Sequence, residues 1–222
     1  MILTNKQIEE AVRRGELVIN PFDDKLVEAA SYDLRVGTQG VTTTSKRVVN
    51  IADHGFLIIE PGDFAVVLTF EELRLSPQHA ARFGLRSKYA RKGLIATTGA
   101  QIDPGYHGRL VVGLTNLSPK PITLGHKDTF LSVEFHRLEE ASTKTYCGPF
   151  QDKMELSADD IAFITETEGL AFSEVLTTLR SLSANVAALT REVRTMEWAV
   201  GIAVGVLALL VAVVTLVVTF KH

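Results

Sequence analysis

Residues 101–116 read QIDPGYHGRLVVGLTN. The stretch opens on an Asp-Pro-Gly turn and runs into an alternating apolar strand that ends at Asn116, a pattern of β structure with any site carried on its loops. Similar short runs rich in Val, Ile, Leu and Phe lie on both sides: LVI at 17–19, FLIIE at 56–60, FAVVLTF at 64–70, PITL at 121–124 and TFLSVEF at 129–135. Turn signals separate them at Asn20-Pro21, Pro61-Gly62, Ser76-Pro77, Ser118-Pro119 and Gly125. Thr4 is placed to cap a helix through roughly Arg14, with Gly15 ending it. Residues 1–150 therefore predict a mainly β head, a sandwich or barrel, behind one short helix.

Composition bounds the function. The chain has 222 residues and a net charge of −3, with no basic excess of the kind that binds nucleic acid. Its single cysteine, Cys147, excludes an internal disulfide framework and a cysteine-based zinc site, and suits a reducing compartment. Met1 passes straight into polar, helix-capping sequence, so no secretory leader is read there. A Gly-rich phosphate loop and a dinucleotide fingerprint are both missing, which leaves loops on β structure to build any nucleotide site.

The C-terminal third has a different character. From Trp198 to Phe220, 23 residues carry no charge, and at about 1.5 Å each they match the hydrocarbon core of a bilayer. This predicts a single-pass tail anchor over 198–220, with the head on the cytoplasmic side as Arg191 and Arg194 weakly favour. Thr215 and Thr219 are the polar residues of the span, which argues against a polar pore. Before it, Leu179, Leu182, Val186, Leu189, Val193 and Met196 follow at steps of 3, 4, 3, 4 and 3, the seam of a self-associating coiled-coil stalk over 173–197. Gly201 and Gly205 continue it with a small-xxx-small pair. Residues 151–172 mix acidic and apolar residues; Asp159, Asp160, Glu166 and Glu168 fit no cation-binding spacing, and a solvated linker is expected.

Several motifs of the head, in order, resemble one family. MILTNKQIEEAVRRGELVINPF followed by ASYDLRVG at 30–37 resembles the N-terminal third of dCTP deaminases. LRSKYARKGL at 85–94 resembles the Arg-Ser motif that these enzymes share with trimeric dUTPases, and GAQIDPGYHGRLVVGLTN at 99–116 resembles their third motif. YCGPFQDK at 146–153 resembles the Tyr-x-Gly-x-Tyr-Gln segment of the deaminase branch, with Gln151 at its glutamine. The resemblance implies a distorted jelly-roll head, a homotrimer with sites shared between subunits, and a deoxypyrimidine triphosphate (dUTP or dCTP) bound with Mg2+ through its phosphates.

It also implies roles. Arg86 and Ser87 stand where the family binds phosphates, with Lys88 and Arg91 adding positive charge. Asp103 matches the dUTPase aspartate that activates the attacking water, and Tyr106 the aromatic ring that packs on deoxyribose. Asp33 is expected to be structural and His107 a surface residue. Gln101 stands where deaminases often carry a basic residue. Gly113 falls where the deaminase strand carries its proton-shuttling glutamate, and glycine has no side chain for that work; Glu134 belongs to another motif and is expected to face solvent. Lys127, Thr129 and Ser132 replace the Gly, Arg and Gln of the fourth motif. Three readings stay open: a dUTPase-like hydrolase converting dUTP to dUMP through Asp103, a nucleotide sensor without turnover that signals to the membrane, and a divergent dCTP deaminase with a relocated acid.

Overall fold

The structure, a computed structural model, describes residues 1–166 and 172–219; the side chains at 163, 165, 166, 172–177, 199, 200, 203 and 206–219 lie outside the described set. The opening helix α1 (Asn5–Arg13) begins as a capping box, the Thr4 amide donating to Gln7 Oε1 at 2.9 Å, and Gly15 at φ +70° ends it. Strands β1 (Leu17–Asn20), β2 (Tyr32–Thr42) and β3 (Val49–Asn50) follow, then helix α2 (Ile51–His54) and strands β4 (Phe56–Ile59), β5 (Phe64–Leu75) and β6 (His79–Leu85). After the one-turn helix α3 (Ser87–Ala90) come β7 (Leu94–Ala96), β8 (Gln101–Ile102), β9 (His107–Asn116), β10 (Ile122–Gly125) and β11 (Thr129–Arg137). The expected mainly β head with a short first helix is what forms.

The strands of the main sheet run in the order β7-β9-β5-β2-β11-β6-β8, with β1 added to β5 and β3 to β2, while β10 and β4 pair separately. All the ladders are antiparallel. Register shifts between Leu68 and Glu72 in the β5–β9 ladder, and between Val36 and Gly40 in the β2–β5 ladder, bend the sheet so that it curls around one core. Tyr32, Leu34, Val67, Leu73, Phe130 and Phe135 are fully buried there. Two ion pairs enter this interior. Glu71 accepts from the Arg35 amide at 2.8 Å and from its Nε at 2.5 Å; burial pushes the Glu71 carboxyl up while Arg35 draws it back. Asp33, nearly buried, pairs with Arg86.

Alternation along β9 sets the two faces of the sheet. Leu110, Val112 and Leu114 point into the main core, whereas Val111 belongs to an outer cluster with Val41 and Val66. The chain after β11 covers that outer face. Tyr146 N donates to Pro104 O at 2.8 Å, Asp152 N to His107 O at 2.8 Å, Arg109 N to Lys153 O at 2.7 Å and Leu156 N to Gln39 Oε1 at 2.8 Å. Helix α4 (Ala158–Glu166) then buries Ile164 against Val41 and Val66. The compact unit spans Met1–Ser173, so the packing of the head continues past residue 150 through most of the stretch read as linker.

The second unit, Glu174–His222, contains most of α5 (Phe172–Thr219), one continuous helix of 48 residues. Leu179, Leu182, Val186, Leu189, Val193 and Met196 are each more than half exposed. The expectation of a membrane-anchored protein is corrected here: among the described residues no helix is long and apolar enough to cross a membrane. Arg180, Arg191, Glu192, Arg194 and Glu197 punctuate α5, and the side chains described beyond them reach only to Gly205, short of the ~20 apolar residues a span requires. The remainder of the expected span, 206–220, lies outside the described side chains.

Candidate functional site

The Asp-Pro-Gly turn positions the first group of candidates. Pro104 and Gly105 occupy the corner between β8 and β9, with Gly105 at φ +80° and the Tyr106 amide donating back to Asp103 O at 3.2 Å. A Cβ at Gly105 would lie 2.5 Å from Thr145 Cβ, so both the backbone twist and the neighbour demand glycine. The turn thus sets Asp103 at the end of one strand and Tyr106 at the start of the next, opening on one cavity of about 250 Å3. Gln101, Thr98, Phe83, Tyr146 and Phe150 also line it. Gln101 Nε2 donates to Asp103 Oδ1 at 2.6 Å, which fixes the carboxylate. Tyr106 is buried, donates its hydroxyl to Arg109 O at 2.8 Å, and lies 5.6 Å between ring centres from Tyr146; burial pushes its phenol up, so it remains a donor.

A second cavity of about 680 Å3 adjoins the first, sharing Thr98, Val111 and Phe150 with it. Its floor is the outer face of the sheet at Phe64, Val66, Val111 and Gly113, and its roof is the chain from Pro149 to Asp160. Gly113 is packed as well as bare. A Cβ there would stand 2.8 Å from Thr97 Oγ1 and 3.1 Å from the Phe64 ring, so a side chain does not fit without movement. Gln151, at the edge of this cavity, ties the roof to the turn: its Nε2 donates to Gly105 O at 3.2 Å and its Oε1 accepts from His107 N at 3.3 Å.

The expected phosphate ligands gather elsewhere in the chain. Arg86 caps α3 from the end of β6 and is held by Asp33, and its amide donates to Phe130 O at 2.9 Å. Ser87 opens the same turn; Lys88 is exposed, 4.0 Å from Asp128, and Arg91 is exposed at its end. None of the four lines either cavity within this chain. The structure thus brings Asp103, Tyr106 and Gln101 together, sets Gln151 beside them, and keeps the Arg86 group apart.

Two features escaped sequence reading. His107 bridges strands and roof, its Nε2 lying 2.7 Å from Glu72 Oε1 and its Nδ1 2.5 Å from Asp152 Oδ1; the Glu72 and then the Asp152 hydrogen bond push its imidazole up. Glu72 and His107 are far apart in sequence and meet only through the β5–β9 ladder. The contribution of α4 was hidden for the same reason, since its acidic first turn reads as solvated sequence until Ile164 is seen to dock.

Comparison with known proteins follows the same outline. A family model described as dCTP deaminase-like matches residues 2–138. The dCTP deaminase of Thermococcus sibiricus is 35% identical, over 70% of this chain and 95% of its own length. The dUMP-forming dCTP deaminase of Methanothermobacter thermautotrophicus is 28% identical, over 68% of this chain and 86% of its own. The crystal structure of 2'-deoxycytidine 5'-triphosphate deaminase from Agrobacterium tumefaciens is similar with a TM-score of 0.52 at 20% identity, covering 61% of this chain and 48% of that one. The chain thus spans about half the length of that structure, and the likeness to it is one of fold.

Proposed function

The chain belongs to the dCTP deaminase-like family, and from that premise we propose that it binds a deoxypyrimidine triphosphate across the two adjoining cavities and releases pyrophosphate from it. The observation that carries this reading is the pairing of Asp103, fixed by Gln101, with Tyr106 on one cavity, while Gly113 offers no acid at the other. Deamination needs a proton carrier beside the base, and the family's position for it is both empty of side chain and closed by Thr97 and Phe64. Chemistry at phosphorus needs none there.

In the proposed step Asp103 takes a proton from a water whose oxygen bonds to the α-phosphorus. The bond to the bridging oxygen breaks, and pyrophosphate leaves with its electron pair. Tyr106 provides the wall for the deoxyribose. Mg2+ would be held through the triphosphate's own oxygens, where it would offset phosphate charge, and Asp103 would be the carboxylate nearest to it. The Arg86 group lies outside the cavity of its own chain, which supports a homotrimer in which each site takes its phosphate ligands, Arg86, Ser87, Lys88 and Arg91, from a neighbour. The exposed seam of α5 supports a parallel association of stalks in the same assembly.

The test is the full chain with Mg2+ and dUTP, dCTP or dTTP, following pyrophosphate and base identity together. Release of pyrophosphate is expected, with Asp103→Asn slowing it ~10²-fold or more while nucleotide still binds. Tight binding with no product would replace the hydrolase by a receptor, and uracil appearing from dCTP would make the chain a deaminase with its acid elsewhere.

A further inference from the structure

His107 joins two parts of the protein that the chain sets far apart. Its Nε2 lies 2.7 Å from Glu72 Oε1 on β5, and its Nδ1 lies 2.5 Å from Asp152 Oδ1 in the roof. Beside it the roof backbone rests directly on β9. Asp152 N donates to His107 O at 2.8 Å, Arg109 N donates to Lys153 O at 2.7 Å, and a Cβ on Gly108 would stand 2.9 Å from Lys153 N and O. The two residues just before Asp152 belong to the site: Phe150 lines both cavities and Gln151 the larger one. Asp152 itself holds φ at +57°, a conformation that a residue with a side chain seldom adopts without a reason. A roof residue in a costly shape therefore meets one imidazole.

We infer that His107 is a proton-operated latch: with both ring nitrogens protonated it holds the roof shut over the cavities, and on losing one proton it lets go. Carboxylates only accept hydrogen bonds, and a neutral imidazole has a single N–H to give. Both contacts are hydrogen bonds only in the imidazolium. Once neutral, the ring turns a lone pair toward one carboxylate at contact distance, and that contact fails. Asp152 is the side that yields. Its side chain is 70% exposed against 26% for Glu72, its backbone gains by leaving the left-handed region, and Glu72 is fixed in the β5–β9 ladder. Charges face the ring from each element around it: Glu72 and Arg74 from β5, Arg109 from its own strand, and Asp152 and Lys153 from the roof. Lys153 is neutralised by Asp160, and the two bonded carboxylates outweigh the remaining cations, so the imidazole titrates above its ordinary 6.5. The latch is closed below that value and opens as pH climbs through the higher one of the folded chain. The latch stands on this geometry; that it governs the entry and exit of a nucleotide rests on the site proposed above.

The test is amide hydrogen exchange of the full chain from about pH 5.5 to about pH 9, each rate divided by the intrinsic rate at that pH. The amides of Asp152 and Arg109, which bond between roof and β9, are expected to lose protection roughly tenfold as the latch opens, the effect of losing one hydrogen bond to a charged group. Amides of the β2–β11 ladder are expected to stay level. Asp152→Asn separates a latch from general loosening. Its amide can accept from the imidazolium and donate to the neutral ring, and Asn tolerates the left-handed backbone, so this variant is expected to stay shut across the range. His107→Asn, with no titrating group there, is expected to show low protection that is level with pH. The α,β-imido analogue of dUTP in Mg2+, which resists pyrophosphate release, is expected to leave the native chain roughly tenfold faster above the transition, and to show no such step in Asp152→Asn. Protection that is level with pH in the native chain, or that falls equally in Asp152→Asn, overturns the inference. Dissociation that takes no notice of the opening overturns its hold on the site. An analogue that does not bind at all removes the nucleotide site, and the exchange rates alone then decide the latch.

Discussion

A methyl group on residue 113 would press to 2.8 Å from Thr97 Oγ1 and to 3.1 Å from two carbons of the Phe64 ring. Thr97 can give by rotation, whereas Phe64 is half-buried against Val41, Val66 and Ile164 and yields less readily. Gly113→Ala is expected to cost about 1–3 kcal/mol of stability, as overpacking does, read as a lower melting temperature of the full chain. Gly113→Glu is expected to destabilise further and to produce no uracil from dCTP, because the carboxylate would be displaced from the floor. A Gly113→Glu variant that folds as well as the native chain would show that Phe64 and Thr97 do not close the position. At this scale the sequence was partly legible. Asp103 and Tyr106 are three apart across a Pro-Gly corner, so their meeting follows from local backbone geometry. Gln101 was placed by its motif alone, where deaminases often carry a basic residue, and its hydrogen bond to Asp103 is seen only in the structure.

The roof is the element whose behaviour the site depends on, and His107 is the group that fastens it. Its imidazole is raised above the ordinary value of 6.5 by Glu72 and Asp152, so the protonated form is favoured in the folded chain. A raised folded value means that the stabilisation is fully present below about pH 6.5 and fades as pH climbs through the higher folded value. His107→Asn is therefore expected to lower the melting temperature most at mildly acidic pH, with the gap narrowing above neutrality; a gap that is flat with pH would remove the ionic role of the bridge. Elements also differed in how plainly they could be read. The strands with continuous apolar runs, β1, β4, β5, β9, β10 and β11, stand where the pattern put them. β2 was hidden because Asp33 and Arg35 interrupt it, charges that only its partners Arg86 and Glu71 make tolerable in a buried strand. β6 was hidden by the polar outward residues of HAARFGL, and β7 and β8 by being only 3 and 2 residues long.

At the scale of the whole molecule, the seam of α5 presents six apolar side chains, each more than half exposed along one helix. A helix so built is stabilised by a second copy laid against it. With Cys147 replaced by serine, Leu189→Cys is expected to cross-link chains under mild oxidation, whereas Arg191→Cys, on the outward face of the same heptads, is expected not to. Equal cross-linking at both positions, or at neither, would discard the stalk as an association element. Heptad spacing made this helix legible in sequence; what was misread is its far end, where a long uncharged run suggested a bilayer and the described helix does not meet the requirement for one.

The roof has one more consequence, for the order in which the chain is made. Val41 and Val66 leave the ribosome long before Ile164, which buries them, and the strands between them can pair as soon as β9 and β11 are out. The newborn head thus passes through a stage with its sheet complete and its outer face bare, when the wall of the larger cavity is a sticky patch open to chaperones or to another nascent head. Synthesis that halts before α4 would leave a product that has its strands and its Asp103 turn but no cover, and quality control would meet that product first on the face that Ile164 of α4 covers in the native protein.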